Sequence, residues 1–307
     1  MTDKRIYPFS AIVGQEQMKT ALILNVVNPR LGGVLIRGEK GTAKSTAVRA
    51  LAEVLPDTRV VDLPVSATED RVAGTLDIEY ALQHGEKRFE PGILAQADKN
   101  ILYVDEVNLL DDHIVDILLD SAAMGVNTVE REGISYSHPA RFTLVGTMNP
   151  EEGDLRPQLL DRFGLVVEVA GEEDVNNRVE VIRRRLDFEA DPESFTARYA
   201  KAQEELSAQI QAARERLPMV AFSDPILEAA ARISIRLGVD GHRADIGMIK
   251  TAVTHAAWMG RAEAGPEDLA RAAVFVLPHR LRRRPFEEEA ADRQGLEAII
   301  QECLRDI

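Results

Sequence analysis

The sequence predicts an α/β fold in which a parallel five-stranded sheet is sandwiched between helices and followed by an all-helical C-terminal region. In the first half of the chain, short β-branched runs alternate with segments of helical periodicity. This alternation is typical of parallel sheets that are covered on both faces. After Asp174 the pattern becomes almost wholly helical. A chain of 307 residues, 45% of them hydrophobic, can fill one large core and a smaller one.

The elements of the first half follow from the spacing of apolar residues. Strands are predicted at 33–37, 59–63, 100–104, 141–147 and 165–169. Helices are predicted at 42–55 and 111–124. The segment 68–96 is too long for a simple crossover and contains turn glycines, and 126–141 alternates around a Glu-Gly turn. We therefore expect a β-hairpin insertion in each of these two segments.

The second half predicts helices at 176–186, 192–216, 223–237, 245–261 and 266–277, with a last short helix near the C-terminus. From these patterns we predict three parts. They are an α/β core over 1–186, a helical linker over 187–218 and a helical lid over 219–307.

The composition excludes several classes of protein. A net charge of -14 repels phosphate backbones and disfavours a nucleic-acid binder. Cys303 is the only cysteine, so an internal disulfide and a cysteine zinc site are both ruled out. No run approaches the roughly 20 apolar residues of a membrane helix, so a cytoplasmic protein is expected. Basic runs at 183–185 and 280–284 are read either as solvated helix faces or as contacts with an acidic neighbouring subunit.

The segment GEKGTAKS at 38–45 follows the first strand and opens a helix, which is the setting that a P-loop requires. Lys44 is predicted to reach the β- and γ-phosphates of ATP, and the Ser45 hydroxyl to ligate Mg²⁺. Ala43 replaces the second glycine of the motif, which costs about 1 kcal/mol if φ is positive there. The alternative is an ordinary strand–turn–helix with a surface lysine. The residues predicted to bind the nucleotide are Gly38, Glu39, Lys40, Gly41, Thr42, Ala43, Lys44, Ser45 and Thr46.

An apolar strand, ILYV, ends in Asp105 and Glu106 about sixty residues after the P-loop. In open α/β sheets such a strand delivers these acids to the edge where ligands bind. Asp105 is predicted to hold the Mg²⁺ shell and Glu106 to accept a proton from the attacking water or to orient it. The alternative is a solvated strand end.

Three further polar residues are candidates for catalysis. Asn149, at the tip of the fourth strand, is predicted to orient the water or touch the γ-phosphate, unless it merely starts a turn. Arg162, with Arg156 as a less specific candidate, is predicted to stabilise transition-state charge in a neighbour's site; the alternative is a local ion pair, with Asp161 the only obvious acid. Arg243 is predicted to swing onto the γ-phosphate and couple lid closure to nucleotide state, unless it is a surface arginine.

Several long segments are far more specific than a lone P-loop. They are YPFSAIVGQEQMK, GEKGTAKS, ATEDRVAGTLDIE, FEPGILAQA, ILYVDEVNLLDDHIVDILLD, NTVEREGISYSHPARF and NPEEGDLRPQLLDRFGL. Through them nearly the whole chain resembles the ATPase subunit I of magnesium chelatases and the related ATPase parts of cobaltochelatases. The resemblance implies an AAA+ P-loop fold whose two hairpin insertions correspond to 68–96 and 126–141.

The same resemblance implies a ring, expected to be a hexamer, with ATP and Mg²⁺ between subunits. By position Asn149 matches the family's sensor 1 asparagine, Arg162 its arginine finger and Arg243 its sensor 2 arginine. It also implies a partner AAA+ subunit with an integrin-like domain and a large tetrapyrrole-binding subunit that performs metal insertion.

The leading hypothesis is an ATP-hydrolysing motor that drives magnesium insertion into a tetrapyrrole, as in chlorophyll biosynthesis. Ala43 departs from the GTGKS form of chlorophyll-pathway subunits, whereas GTAKS is frequent in cobaltochelatase-like members and in MCM helicases. The connection at 58–66 lacks the longer, cysteine-bearing loop of many cobaltochelatase-like relatives. A cobaltochelatase-type subunit and a MoxR-like chaperone ATPase therefore stay open as alternatives. A helicase is disfavoured by the charge, and a non-hydrolysing scaffold by the full set of site residues.

Overall fold

A computed structural model of the chain describes residues 5–39, 41–77, 80, 88–131, 134–281 and 289–305. Its strands, in chain order, are β1 (Val34–Gly38), β2 (Val60–Leu63), β3 (Gly74–Asp77), β4 (Arg88–Pro91), β5 (Ile101–Val104), β6 (Val126–Arg131), β7 (Ile134–Pro139), β8 (Thr143–Met148) and β9 (Leu165–Val169). Five of them form one parallel sheet in the order β2-β5-β8-β1-β9. The predicted five-stranded sheet is confirmed, each strand within two residues of its predicted bounds.

The central strand β1 lies between β8 and β9, with Val34 opposite Val145 on one side and Leu165 on the other. Strands β1, β5 and β8 are buried along their whole length. Such continuous burial explains why their sequences are apolar runs without alternation. Because all five strands run parallel, the residues that follow β1, β5 and β8 meet at one edge of the sheet.

The helices are α1 (Glu16–Val27), α2 (Lys44–Val54), α3 (Glu69–Ala73), α4 (Ile93–Gln96), α5 (Asp112–Met124), α6 (Pro157–Leu160), α7 (Val175–Ala190), α8 (Pro192–Arg216), α9 (Asp224–Arg236), α10 (Arg243–Trp258), α11 (Pro266–Val276) and α12 (Glu289–Leu304). The long helices predicted in the second half are confirmed. Helix α1 was not predicted. Its residues from 21 to 27 are all buried, so the helix shows no apolar stripe at helical spacing.

The two predicted hairpins are confirmed. Strand β3 pairs with β4 and β6 pairs with β7, both antiparallel. The hairpins contact each other through the rings of Phe89 and Tyr136, whose centroids are 4.0 Å apart at an angle of 21°. The buried Asn127 amide donates to the carbonyl of Ala73, at the end of α3, over 2.9 Å. The predicted Glu-Gly turn at 132–133 lies outside the described residues.

The helical C-terminal part packs on the α/β part through one contiguous apolar cluster. Helices α1, α2 and α8 and strands β1 and β9 contribute to it, as do α9, α10 and α11. Helix α10 contributes small residues, including Ala252 and Ala256, which allow close helix packing. Helix α7 continues across residue 186, so the division proposed there from sequence stays a prediction. In the part of the chain that the structure describes, no helix combines the length and apolarity needed to span a bilayer.

Candidate active site

The P-loop connects β1 to α2 at the edge of the sheet. Gly38 is required there, because a Cβ atom at this position would lie 2.0 Å from the carbonyl oxygen of Val169 in β9. Gly41 has a φ of +85°, in the region that favours glycine. The Thr42 hydroxyl donates to the Glu39 carbonyl over 2.8 Å and tightens the turn. Lys40 lies outside the described residues.

Ala43 adopts the left-handed conformation, with φ +59° and ψ +19°, directly before the first turn of α2. The φ of residue 43 is therefore positive, which is the conformation in which an alanine in place of the motif's second glycine is costly. A residue with a Cβ atom costs about 1 kcal/mol in this conformation. The loop nevertheless keeps its turn and the start of its helix, so the alanine is a strained but compatible choice.

Lys44 folds back over the loop. Its ammonium donates to the carbonyls of Gly38 and, over 2.8 Å, of Glu39. Partial burial lowers the pKa of Lys44, and the nearby carboxylates of Asp105 and Glu106 raise it in opposition. The cation thus contacts the loop carbonyls and lines the same cavity as the acids that follow β5, which is where bound phosphate oxygens would need it.

Asp105 and Glu106 follow β5, and Thr147 of β8 connects them. The Thr147 hydroxyl donates to Asp105 Oδ1 over 2.6 Å and accepts the Glu106 backbone N–H over 3.2 Å. Tyr103 also donates to Asp105 Oδ1, over 2.9 Å, and burial raises the pKa of this phenol. Glu106 has a φ of +54°, a strained backbone of the kind that clusters at functional sites.

Sequence reasoning assigned no role to Thr147 or Tyr103. Both positions carried a weak signal, since each places a hydroxyl group within a buried strand. Together they orient the carboxylate that was predicted to hold the metal.

Asn149 lies at the end of β8 and is buried. Its Oδ1 accepts the Glu151 backbone N–H over 3.2 Å and so starts a 3-10 turn at Pro150. The interpretation of Asn149 as a turn residue is therefore confirmed. The side chain also lines the cavity described next, and its role as a sensor of phosphate stays a prediction.

A cavity of about 620 Å³ opens beside the P-loop. Its lining combines residues 41–46 of the P-loop with Asp105, Glu106, Thr147 and Asn149. It also includes the apolar side chains of Ile12, Val13 and Val181 and the ring of Tyr7, together with the polar Gln15, Glu172 and Arg185. Polar groups for phosphates and apolar side chains for a planar base match the chemistry of a nucleotide.

Sequence reasoning missed the part of the cavity lining that carries its apolar side chains. This part comes from the segment before α1, from residues 170–172 after β9 and from α7. Gln15 Nε2 donates to the Ala170 carbonyl over 2.9 Å, and Arg184 of α7 donates to the Ala11 carbonyl over 3.0 Å. The one available signal was the segment YPFSAIVGQEQMK, whose letters carry no nucleotide motif of their own.

Arg162 is held by two acids of α5. Its guanidinium donates to the carboxylates of Asp116 and Asp120, which follow one another at a spacing of four on the helix. The partners are therefore not Asp161, the only acid that was obvious from the sequence, while the alternative of a local ion pair is confirmed. Arg156 pairs with Asp112 of the same helix, with Nε and Oδ2 2.5 Å apart. Neither arginine is among the described residues that line the cavity.

Arg243 begins α10 and pairs with the Asp161 carboxylate, again outside the cavity lining among the described residues. Asp161 also contacts Arg280, whose side chain is only 3% exposed. Burial lowers the pKa of Arg280 to about 10, so it stays charged at neutral pH. The neighbouring His279 donates from Nε2 to the Phe163 carbonyl over 3.1 Å, and burial lowers its pKa well below the usual value.

The basic runs find partners within the chain. Arg183 and Arg184 pair with Glu180, and Arg185 pairs with Glu189 on α7. Arg280 is buried rather than solvated, which neither interpretation of its run anticipated. The remaining members of that run, at 282–284, lie outside the described residues.

Comparisons with known proteins agree with this geometry. Residues 33–163 match the family model "AAA domain (dynein-related subfamily)" and residues 227–302 match "AAA lid domain". The fold and site thus define an AAA ATPase with its lid, as the sequence predicted.

The "Magnesium-chelatase subunit ChlI homolog" of Methanocaldococcus jannaschii is 52% identical over 97% of this chain and 91% of its own length. The "Magnesium-chelatase 38 kDa subunit" of Rhodobacter capsulatus is 50% identical over 97% of this chain and 94% of its own. A cryo-EM-based structure of the complex between subunits BchI and BchD of magnesium chelatase matches with 46% identity and a TM-score of 0.55, covering 98% of this chain and all of that one. The chain therefore belongs to the family of magnesium-chelatase ATPase subunits, and the predicted resemblance is confirmed.

Proposed function

We propose that the chain is the ATP-hydrolysing motor subunit of a magnesium chelatase and drives metal insertion into a tetrapyrrole by remodelling its partner subunits. The observation that carries the proposal is a cavity whose lining brings together the P-loop lysine, Lys44, and the two acids that follow β5, Asp105 and Glu106. Relatives that cover nearly the whole chain are named magnesium-chelatase subunits, which supports this class of complex. A cytoplasmic location is part of the proposal.

ATP and Mg²⁺ suit the polar residues of the cavity lining. Asp105, oriented by Tyr103 and Thr147, and the exposed Ser45 supply the hard oxygen ligands that Mg²⁺ prefers. When bound, the ion would neutralise charge on the phosphates. Lys44 holds the β- and γ-phosphates, and the backbone of the described P-loop residues, 38–39 and 41–46, surrounds them.

Glu106 accepts a proton from the attacking water or orients it, and Asn149 positions that water against the γ-phosphate. Thr147 fixes the Glu106 backbone through its hydroxyl, 3.2 Å from the amide nitrogen, so the carboxylate leaves the strand in one direction. This arrangement favours hydrolysis over simple binding, because a base is held next to the phosphate site.

Arg162 acts on the site of a neighbouring subunit. It is absent from the described lining of its own cavity and pairs instead with Asp116 and Asp120 of α5. A head-to-tail ring of copies, expected to be a hexamer, would bring it to the next cavity. Arg243 would reach the γ-phosphate from the lid. The partners are an AAA+ subunit with an integrin-like domain and a large tetrapyrrole-binding subunit.

The test is phosphate release by the wild-type chain and by Glu106→Gln. We expect the variant to bind ATP with unchanged affinity and to lose hydrolysis by roughly two to three orders of magnitude, because only the water-activating group is removed. Hydrolysis by the variant at the wild-type rate would remove Glu106 from the mechanism.

A second measurement tests the ring. If Arg162 completes the neighbour's site, the rate per subunit rises steeply with protein concentration as interfaces form. A rate per subunit that does not depend on concentration would contradict the action of Arg162 between subunits.

The partners are tested by affinity capture from the native source. Recovery of an integrin-domain subunit and a very large tetrapyrrole-binding subunit supports a chelatase. Recovery of other metalloprotein clients would favour the MoxR-like alternative, and a corrin-binding partner would favour the cobaltochelatase type.

A further inference from the structure

Arg280, a residue of the lid, contacts the loop that carries Arg162. Arg280 follows α11, and its guanidinium reaches the segment 161–164 between α6 and β9. Nη2 donates to the carbonyls of Asp161 over 2.9 Å and of Phe163 over 2.7 Å, and Nε donates to Asp161 Oδ1 over 3.2 Å. Nη1 donates to the carbonyl of Val276 over 2.6 Å and to that of Gly164 at 3.5 Å. All five N–H donors of this arginine are thus directed at acceptors.

Two of these acceptors flank Arg162 in the chain. Since one nitrogen of Arg280 contacts the carbonyls before and after Arg162, the lid fixes the direction of the backbone from which the Arg162 side chain departs. At the other end, Asp116 and Asp120 of α5 fix the guanidinium itself. The lid therefore contacts the backbone on both sides of Arg162, and the α/β core contacts its guanidinium.

The burial of Arg280 favours a positioning role over a purely stabilising one. Its side chain is 3% exposed, and removing a guanidinium from water carries a desolvation cost that its ion pair and hydrogen bonds largely offset. Apolar residues of similar size often stabilise such a site equally well. What an apolar residue cannot do is hold several carbonyls in a fixed geometry, which the planar fork of an arginine does.

Asp161 joins this contact to a second lid element. Its carboxylate pairs with Arg243, at the start of α10, as well as with Arg280 after α11. Any displacement of the lid would therefore pull on the residue next to Arg162 through two separate side chains.

We propose that Arg280 is a positioning residue that orients Arg162, so that the site receiving Arg162 depends on how the lid of the donating subunit is docked. The proposal rests on the action of Arg162 in a neighbour's site, as set out under the proposed function. It adds that the lid of one subunit regulates hydrolysis in the next.

The variant Arg280→Lys keeps the positive charge but loses the planar fork. A misplacement of about 1 Å can cost on the order of 100-fold in rate, so we expect turnover to fall roughly 10- to 100-fold. The affinity for ATP stays within about twofold, because Arg280 lies away from the described cavity lining. Arg236→Lys is the matched control, since Arg236 forms an exposed ion pair with Glu302 in the lid and should keep the wild-type rate.

Mixing subunits separates positioning from folding. Arg280→Lys has an intact P-loop with a misplaced Arg162, whereas Glu106→Gln has an inactive site with a well-placed Arg162. An equal mixture of the two should regain about a quarter of the wild-type rate, because random assembly pairs an intact P-loop with a well-placed arginine at about one interface in four. Arg162→Ala mixed with Glu106→Gln is the reference and should recover to the same extent.

Each outcome decides the matter. If the Arg162→Ala mixture recovers and the Arg280→Lys mixture does not, the role of Arg280 is overturned and the proposed function stands. If neither mixture recovers, Arg162 does not act between subunits and both proposals fail. A wild-type rate for Arg280→Lys alone also overturns the inference. Arg280→Met serves as the second variant, and loss of ATP binding in both variants would make Arg280 a residue that only maintains the fold.

Discussion

Ser45 and Asp105 are exposed on the cavity wall, and the Lys44 ammonium contacts carbonyls of its own loop. Around Asp161, by contrast, Arg162 and Arg280 are held by carboxylates and carbonyls from separate elements of the chain. In the cavity, a bound ligand can replace the loop carbonyls as the partner of the Lys44 ammonium. The arginine region presents cations whose geometry is set before any ligand arrives, which is the condition under which charges stabilise a transition state most effectively.

For ATP affinity, the largest effect should come from a substitution of Lys44 in the cavity. Lys44→Met keeps the aliphatic stem and removes the charge, so ATP affinity should fall by about 2–3 kcal/mol, roughly 30- to 150-fold. Titration with a fluorescent ATP analogue measures it. Lys201→Met, at an exposed pair with Glu205, is the control and should bind normally. Unchanged affinity in Lys44→Met would mean that the ammonium does not contact the phosphates.

Breaking the arginine side should change the rate and leave binding intact. With Asp116→Asn and Asp120→Asn combined, Arg162 loses both charged partners, and we expect kcat to fall roughly tenfold with little change in KM. Steady-state phosphate release measures both constants. Asp187→Asn, at an exposed pair with Arg198, is the matched control. An equal loss of ATP affinity in the double variant would count against the separation of the two regions.

The free energy of unfolding should fall in acid because of His279, which donates to the Phe163 carbonyl in the loop that carries Arg162. Burial, together with the neighbouring charge of Arg280, lowers the pKa of His279 in the folded chain below the unfolded value of about 6.5. Between those two pKa values the unfolded state binds the extra proton. This contribution to stability is therefore complete above pH 6.5 and is lost as the pH falls toward the folded pKa.

The expected slope for His279 is at most about 1.4 kcal/mol per pH unit. Urea unfolding at pH 7.5 and pH 5.5 measures it, and His279→Gln should show a smaller loss between the two than the wild-type chain. Equal losses in both proteins would mean that folding does not change the pKa of His279.

The smallest effect should come from relieving the backbone strain at Ala43, in the cavity lining. Glycine fits the positive φ of this position without strain, so Ala43→Gly should raise the free energy of unfolding by up to about 1 kcal/mol, less the entropy that glycine adds to the unfolded chain. Ala208→Gly, at an exposed position within α8, should lower it by about 1 kcal/mol. Thermal unfolding of both variants tests the opposite signs.

The two regions also differ in how far sequence predicts them. The P-loop and the acids after β5 were predictable, because a local motif and an apolar run determine them. The α5 partners of Arg162 were not, since they precede it by 46 and 42 residues and meet it only when α5 packs beside the arginine loop. Helix α1 was missed for a related reason, because burial on several faces removes the periodicity that marks a surface helix.

The stacked rings of Phe89 and Tyr136 have a consequence for the two insertions. The ring centroids are 4.0 Å apart, and the Asn127 amide donates to the carbonyl of Ala73 at the end of α3. The two hairpins therefore pack as one unit. A partner protein that presses on β6–β7 therefore also moves β3–β4, so force applied at one insertion is shared by both.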